Sequence, residues 1–468
     1  MNHSTLLSAI RAQWDADIVP QITDYIRIPA KSPHFDPQWE SHGYIERVIG
    51  LAHAWVKKQP VRGLSVEIIR LPGRTPLLYF DIAGTGDRTV LLYGHLDKQP
   101  EMTGWRQGYG PWDPLYEDGK LYGRGSADDG YATFAALSAI GALQAQGIAH
   151  ARCAGMIETC EESGSYDLPA YLEALAPRLG NVDFVVGLDS GCGDYERLWA
   201  TTSLRGLAGG TLSVEVLTEG VHSGDASGIV PSSFRIARKL LDRIEDASTG
   251  RVLPPEFHAP IPAERAEQAG RAADVLGDIV IGKYPFAGAT QPMTSDRAEA
   301  LLNRTWRPAL SITGADGLPS IADGGNVLRP QTALKLSLRL PPTVDGGSAE
   351  RAMQRLLEAD PPYGATVRFT GESGATGWNA PPTDAWLARA IDQASSHFYG
   401  KPSAAMGEGG TIPFMAMLGK HFPQAQFLIT GVLGPHANAH GPNEFLHVPY
   451  AGKLTACVAY VLAAHAQR

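Results

Sequence analysis

The sequence predicts an α/β fold with a smaller α+β domain inserted into it, and three observations indicate this organisation. Over residues 1–203, short apolar runs bounded by turns alternate with longer helical patterns. From about Leu204 the pattern becomes the apolar and polar alternation that is typical of antiparallel strands. Strand and helix patterns resume after a stretch rich in Gly and Pro, Gly371 to Asp384. We therefore predict one domain from residues 1–203 and 380–468, and an inserted domain from residues 204–379.

The first domain is predicted to contain buried strands that end on polar side chains. "TVLLYGHLD", Thr89 to Asp97, is an apolar strand followed by a polar turn, and "GMIETCEES" and "VDFVVGLDSG" repeat the pattern. An amphipathic helix opens the chain, and "YATFAALSAIGALQAQG", Tyr131 to Gly147, is a helix that ends at a glycine. Beyond the insertion we predict a helix over Ala385 to His397, the strand "FLITG" and a closing helix after Pro449.

The inserted domain is predicted to combine strands and helices of a different kind. "LAGGTLSVEVLTEGVHSG" and "TALKLSLRLPP" alternate like half-buried strands. "PSSFRIARKLLDRIED" is an amphipathic helix that opens at Pro231. Together they indicate a small α+β domain.

The composition favours a small molecule as ligand. The 468 residues are 44% hydrophobic and 19% charged, which is typical of a globular chain with more than one core. The formal charge is −9 with no run of like charge, so neither nucleic acid nor a membrane is expected as a partner. Four cysteines without C-x-x-C spacing and an amino terminus without signal-peptide features predict reduced thiols and a cytoplasmic protein.

The loop "LYGRGSADDG" indicates a cation site. Gly123 and Gly125 have the spacing of a dinucleotide-binding fingerprint, but Asp128 stands where its third glycine would be, and Asp129 follows. In that fingerprint the backbone binds a pyrophosphate at a helix N-terminus. A carboxylate there would repel the phosphate, so we expect a cation instead.

Further ligand-type side chains follow the predicted strands. They are His95, Glu161, Glu162 and Asp189, and with Asp128 they fall where the carboxyl ends of the strands place a ligand site in an α/β sheet. So many carboxylates in one cleft would raise one another's pKa values unless cations offset them. Oxygen and imidazole ligands without thiolate suit Zn²⁺, with Mn²⁺ or Co²⁺ as alternatives. The number of carboxylates suits two ions about 3.5–4 Å apart, with Asp128 as the bridge.

Seven motifs then carry a resemblance that spans nearly the whole chain. They are "GHLD" at Gly94, "GRGSADDG" at Gly123, "CEESGS" at Cys160, "LDSG" at Leu188, "VHSG" at Val221, "GGTIP" at Gly409 and "AHGPNE" at Ala439. In order and approximate spacing they resemble the co-catalytic di-zinc metallopeptidase family, and the length and "EESGS" are most similar to its dipeptidase branch. The resemblance implies a mixed catalytic sheet with helices on both faces, an inserted lid and dimerisation domain, and a homodimer.

The resemblance also implies a role for each matching residue. One metal would be held by His95, Asp128 and Asp189, and a second by Asp128, Glu162 and His440. Glu161 would be the general base, Asp97 would orient His95, and His222 would stabilise the oxyanion from the partner subunit. Arg339 would bind the substrate carboxylate, with Asn326, Gly410 and Thr411 as further substrate contacts. For Asp97 a turn-capping role is the alternative, and in the family the peptide bond matching Asp128–Asp129 is often cis.

The function implied is hydrolysis of the amide bond of a dipeptide or short peptide with a free carboxylate, through a hydroxide that bridges two divalent metals. An N-acyl-amino-acid or carbamoyl amidohydrolase using the same site is the alternative. A further alternative is a non-catalytic relative that only binds such compounds. Such a protein would be expected to lack some of the metal ligands, whereas every ligand position is filled here. The sequence contains neither the G-x-S-x-G of serine hydrolases nor H-E-x-x-H.

Overall fold

The computed structural model describes residues 1–468, except for the side chain of Pro413. The chain divides into two compact units: Met1–Thr202, Ala380–Met406 and Met417–Arg468 form the first, and Ser203–Asn379 and Gly407–Ala416 form the second.

The segment Gly407–Ala416 thus groups with the second unit, whereas the sequence analysis placed it in the first domain. Side chains of the second unit explain this difference. Arg205 Nε donates to the Gly409 carbonyl at 3.1 Å, and Arg339 Nη1 donates to Thr411 Oγ1 at 3.1 Å.

Strands and helices alternate along much of the chain. The strands are β1 (Leu64–Ile69), β2 (Leu77–Ile82), β3 (Arg88–His95), β4 (Leu115–Glu117), β5 (Lys120–Tyr122), β6 (Arg152–Glu158), β7 (Asn181–Gly187), β8 (Trp199–Leu204), β9 (Gly206–Glu215), β10 (Val221–His222), β11 (Glu245–Asp246), β12 (Arg251–Val252), β13 (Ala309–Asp316), β14 (Val327–Leu328), β15 (Gln331–Leu340), β16 (Thr366–Ala375), β17 (Trp378–Asn379), β18 (Ala404–Glu408), β19 (Gln426–Ile429) and β20 (Phe445–His447). The α-helices are α1 (His3–Gln13), α2 (Val19–Ile26), α3 (Trp39–His42), α4 (Tyr44–Lys58), α5 (Ala132–Ala145), α6 (Leu168–Leu179), α7 (Ser223–Ala226), α8 (Ser233–Leu241), α9 (Ala263–Leu276), α10 (Ile279–Gly282), α11 (Arg297–Thr305), α12 (Gly346–Glu358), α13 (Ala385–Tyr399), α14 (Pro413–His421) and α15 (Val448–His465).

The first unit is built on a mixed six-stranded sheet, in the order β1-β2-β6-β3-β7-β19. β3 pairs in parallel with β6 and β7, and β19 continues the parallel part beside β7. β1 and β2 add an antiparallel edge. The side chains of β3 are buried almost throughout, as expected for a parallel strand covered on both faces. This confirms the predicted α/β class.

Helices α1, α5, α13 and α15 of the first unit pack against one another. α5 and α15 are buried along most of their length, which explains why their sequences are apolar on nearly every face. No helix in the part of the chain that the structure describes is both long and apolar enough to span a bilayer. All four cysteines are free and buried.

The second unit has an antiparallel sheet, β13-β15-β9-β16, with α8 and α12 packed on it. Apolar side chains from the sheet and both helices form one core, which includes Leu212, Leu336, Ile236 and Met353. The helix predicted to open at Pro231 begins at Ser233, because the Ser232 side chain caps it by accepting the Arg235 amide hydrogen.

Candidate functional site

The predicted ligands of the first unit meet at one edge of the central sheet. β3 ends at His95, which lies beside Glu158 at the end of β6. β7 ends just before Asp189, and Asp128 precedes α5. Because β3, β6 and β7 are parallel, their carboxyl ends share this edge.

Two groups of donor atoms form there, and they share Asp128. His95, Asp128 and Asp189 make one group, and Asp128, Glu162 and His440 make the other, with the donor atoms of each group within 4.8 Å of one another. Asp128 Oδ1 lies 3.3 Å from His95 Nε2, and its Oδ2 lies 3.0 Å from His440 Nε2. The carboxylate therefore turns one oxygen towards each group, and the residues of both predicted sets are together.

The remaining donors complete the two groups. Asp189 Oδ2 lies 3.8 Å from His95 Nε2, and Glu162 Oε2 lies 3.5 Å from His440 Nε2. Nitrogen and oxygen donors without thiolate are what Zn²⁺, Mn²⁺ and Co²⁺ accept in hydrolytic sites. The donor chemistry of both groups thus fits divalent metal ions.

The charge of the site also indicates that cations bind there. Burial, reinforced by the Asp128 charge, raises the pKa of Glu162 to about 8 and that of Asp189 to about 7. Burial lowers the pKa of His440, but the Asp128 carboxylate raises it more, to about 9. Since the carboxylates crowd together away from water, positive charge is needed to keep them all ionised at neutral pH.

Asp97 lies against both the ring of His95 and the turn that carries Glu161 and Glu162. Its Oδ1 lies 3.4 Å from His95 Nδ1, while its backbone carbonyl lies 3.1 Å from the same nitrogen. Its carboxylate oxygens also accept the amide hydrogens of Glu161, at 3.1 Å, and Glu162, at 3.0 Å. One side chain therefore caps the turn that carries the two glutamates and faces the ring of His95.

Glu161 and Asp129 lie beside the donor groups. Glu161 is 8% exposed and, among the described residues, belongs to neither group. Burial, and then the Asp189 charge, raise its pKa. The Asp128–Asp129 peptide bond is cis, and Asp129 Oδ2 accepts the His95 amide hydrogen at 3.3 Å.

A buried ion pair that the sequence analysis did not find joins the Asp128 loop to the His440 loop. Arg124 Nη1 donates to Glu444 Oε2 at 2.7 Å, and both side chains are fully or almost fully buried. Glu444 Oε1 accepts the amide hydrogens of Ala127 and Asp128, while Arg124 Nη2 donates to the carbonyl oxygen of His440. Both residues lie inside motifs that were quoted, "GRGSADDG" and "AHGPNE", and their position there is the signal that could have identified them.

The second unit brings its predicted residues together in two pairs. β10 pairs with β14, which places His222 beside Val327, and the Ser223 amide donates to the Asn326 carbonyl at 2.9 Å. His222 and Asn326 are both exposed. Arg339, on β15, donates to Thr411, whose neighbour is Gly410. His222 therefore lies with Asn326, and Arg339 lies with Thr411.

Comparison with known proteins identifies the class to which this fold and site belong. Residues 91–464 match peptidase family M20/M25/M40, so the chain belongs to this family and is a metallopeptidase.

Individual relatives agree with this assignment. The chain is 29% identical to the cysteinylglycine-S-conjugate dipeptidase of Corynebacterium striatum over 78% of this chain and 79% of that protein. It is 28% identical to the β-Ala-His dipeptidase of Mus musculus over 61% of this chain, but spans only 58% of that protein. The crystal structure of human carnosine dipeptidase 1 has the same fold, with a TM-score of 0.81 at 22% identity over 100% of this chain and 99% of that one.

The buried pair of Arg124 and Glu444 is testable through metal affinity. We expect Glu444→Gln to weaken binding of one of two metal ions by roughly 10–100-fold, because the amides that fix Asp128 lose a charged acceptor and Arg124 loses its carboxylate. Competition with a chromogenic chelator measures this. Asp81→Asn, which disrupts the Arg152 pair in the same unit, is the matched control and should leave both affinities unchanged. Equal affinities in Glu444→Gln and the wild type would contradict the prediction.

Proposed function

We propose that the protein is a dipeptidase, which hydrolyses the amide bond of dipeptides or short peptides that carry a free carboxylate. The observation that carries this proposal is the pair of donor groups that share Asp128, since it offers adjacent places for two divalent ions in a buried acidic site. The Corynebacterium and mouse relatives, both named as dipeptidases, support the substrate class. Zinc is the favoured metal, with manganese or cobalt as alternatives.

The proposed mechanism assigns proton transfer to Glu161. When bound by the two donor groups, the metal ions would polarise the scissile carbonyl and make a water molecule more acidic. Glu161 takes a proton from the attacking water and gives it to the leaving nitrogen. Asp97 is the positioning residue, because it holds the amides of Glu161 and Glu162 and faces the ring of His95.

Substrate binding is proposed to use the second unit. Arg339 offers a planar donor that suits the substrate's α-carboxylate, and Thr411, already hydrogen-bonded to it, lies at the same place. The backbone amide of Gly410 is a further donor. A guanidinium that binds the substrate's carboxylate favours substrates whose leaving group is short and ends in a free carboxyl group.

We also propose that the chain works as a homodimer in which His222 and Asn326 act in the partner's active site, with His222 stabilising the oxyanion. Their exposure supports this, because side chains that complete another subunit's site must lie at the surface of their own. Apolar side chains in the same segments are exposed as well: Ile229 is 84% exposed and Val327 is 40% exposed. Burial of such side chains would favour association.

The free, buried cysteines support a reducing compartment, and we infer a cytoplasmic location from them.

The roles of the adjacent glutamates can be separated by single substitutions. Glu161→Gln should retain both metal ions and lose activity by about 10²–10⁴-fold or more, because the general base is removed while the donor groups stay intact. Glu162→Gln should instead weaken one metal site. Metal content by elemental analysis, measured beside the hydrolysis rate, distinguishes them. Loss of metal in Glu161→Gln but not in Glu162→Gln would show that the two roles are reversed.

The carboxylate specificity can be tested with paired substrates. Amidation of a dipeptide's carboxyl terminus should lower kcat/KM of the wild type by roughly 10–150-fold, because one charge-assisted contact to Arg339 is lost. Arg339→Met should show a similar loss on the free dipeptide and little further loss on the amide. N-acyl and N-carbamoyl amino acids belong in the same panel, and hydrolysis of these alone would favour the amidohydrolase alternative. Equal cleavage of free and amidated dipeptides would exclude the carboxylate anchor.

The shared active site predicts complementation between two inactive variants. In a mixed dimer of His222→Ala and Glu161→Gln chains, one active site has both groups intact, so mixing should restore activity towards a quarter to a half of the wild type. Tagged chains and mass photometry establish that mixed dimers form. If mixed dimers stay inactive, His222 acts in its own subunit or has no catalytic part.

A further inference from the structure

The second unit contains a buried arginine that has no acidic partner among the described residues. Arg205 is 9% exposed, and its Nε donates to the Gly409 carbonyl at 3.1 Å. Its Nη1 lies 3.5 Å from the carbonyl oxygens of Asn303 and Arg307. Among the described residues no carboxylate oxygen lies within 4.0 Å of this guanidinium. A buried cation without a counter-charge is unfavourable, so an anion at this place would be stabilised.

Two more arginines lie around the same loop. Arg304 Nη2 is 3.7 Å from Glu408 Oε2, and Arg339 donates to Thr411. Burial, and then the charges of Arg339 and Arg304, lower the pKa of Arg205 to about 10. Arg205 therefore remains protonated at neutral pH, and three guanidinium groups lie around residues 408–411, where Glu408 is the carboxylate that the described residues pair with Arg304.

A cavity of about 800 Å³ within the second unit is lined by Arg205 and Arg304. Four arginines line it, Arg205, Arg251, Arg304 and Arg307, and the one acidic residue among its described lining is Glu299. Glu299 is already paired with Arg307, at 2.7 Å. The aromatic side chains of Tyr284, Phe286 and Trp306 form apolar walls. The cavity thus suits a ligand group with an apolar stem and a negatively charged end.

We propose that Arg205 and Arg304 bind a second carboxylate, carried by the side chain of the substrate's C-terminal residue, so that the enzyme prefers dipeptides ending in glutamate or aspartate. This inference rests on the proposed function, in which Arg339 binds the α-carboxylate. Arg205 is anchored to Gly409 and Arg339 to Thr411, so the two guanidinium groups flank one short loop. The α-carboxylate and the side-chain carboxylate of one acidic residue would then each meet an arginine, while the methylene groups contact the aromatic walls.

The test compares three dipeptides that differ in charge at one position. With the metal-reconstituted full chain, kcat/KM for alanyl-glutamate should exceed that for alanyl-glutamine by roughly 10–100-fold, since a charge-assisted contact replaces a neutral one. Alanyl-lysine should be poorer still, because its ammonium group would face Arg205 and Arg304.

Substitutions then show which arginines cause the preference for alanyl-glutamate over alanyl-glutamine. Arg304→Gln should lower kcat/KM for alanyl-glutamate far more than that for alanyl-glutamine, because only the glutamate side chain carries the charge that Arg304 would contact. Arg355→Gln, an exposed arginine of the same unit that pairs with Glu256, is the matched control and should keep the preference.

Equal kcat/KM for alanyl-glutamate and alanyl-glutamine in the wild type would overturn the acidic subsite and leave the dipeptidase function standing. A preference that survives Arg304→Gln unchanged would overturn the assignment to these arginines. If none of the three dipeptides is cleaved, the proposed dipeptidase function is wrong. The arginines then cannot form a subsite for a dipeptide substrate either.

Discussion

The candidate metal centre depends on one shared carboxylate. Asp128 turns one oxygen to His95 and the other to His440, two histidines from distant parts of the chain. This sharing requires the parallel strands to end at the same edge, and it requires the loop before α5 to be held in place. The buried pair of Arg124 and Glu444 meets the second requirement, since Glu444 binds the amide of Asp128 and Arg124 binds the carbonyl of His440. These contacts tie the Asp128 loop to the His440 loop.

Burial of several carboxylates in one place gives the site its chemistry. Glu162, Asp189 and Glu161 all have raised pKa values, with burial as the largest cause. Two imidazole rings cannot balance that charge, whereas two divalent ions would. The metallopeptidase family assignment agrees with this electrostatic argument, which depends on the charges and burial alone. In the second unit the imbalance has the opposite sign, because Arg205, Arg304 and Arg339 surround one short loop.

The sequence could predict those features of the protein that have a local sequence pattern. Apolar runs ending on carboxylates predicted the strands and the edge where Asp128 and Asp189 lie, while the division of ligands into two sets came from the family resemblance. The Arg124–Glu444 pair was missed because it joins residues 320 positions apart: each residue lies inside a quoted motif, but neither motif indicates that the two side chains pair. The structure groups Gly407–Ala416 with the second unit, where Gly409 and Thr411 contact Arg205 and Arg339, and the local sequence pattern carries no sign of these distant contacts. For Asp97 the turn-capping alternative has direct hydrogen bonds, since its two carboxylate oxygens accept separate amides, while its role in orienting His95 stays a prediction that the 3.4 Å separation of Oδ1 and Nδ1 permits.

The central claim is that two metal ions share Asp128. The most direct test is anomalous X-ray diffraction from crystals of the metal-loaded protein, recorded on both sides of the metal absorption edge. The account predicts two anomalous peaks about 3.5–4 Å apart, one beside His95 and Asp189 and the other beside Glu162 and His440, with a carboxylate oxygen of Asp128 bound to each. A single peak at saturating metal, or two peaks of which only one contacts Asp128, would contradict it.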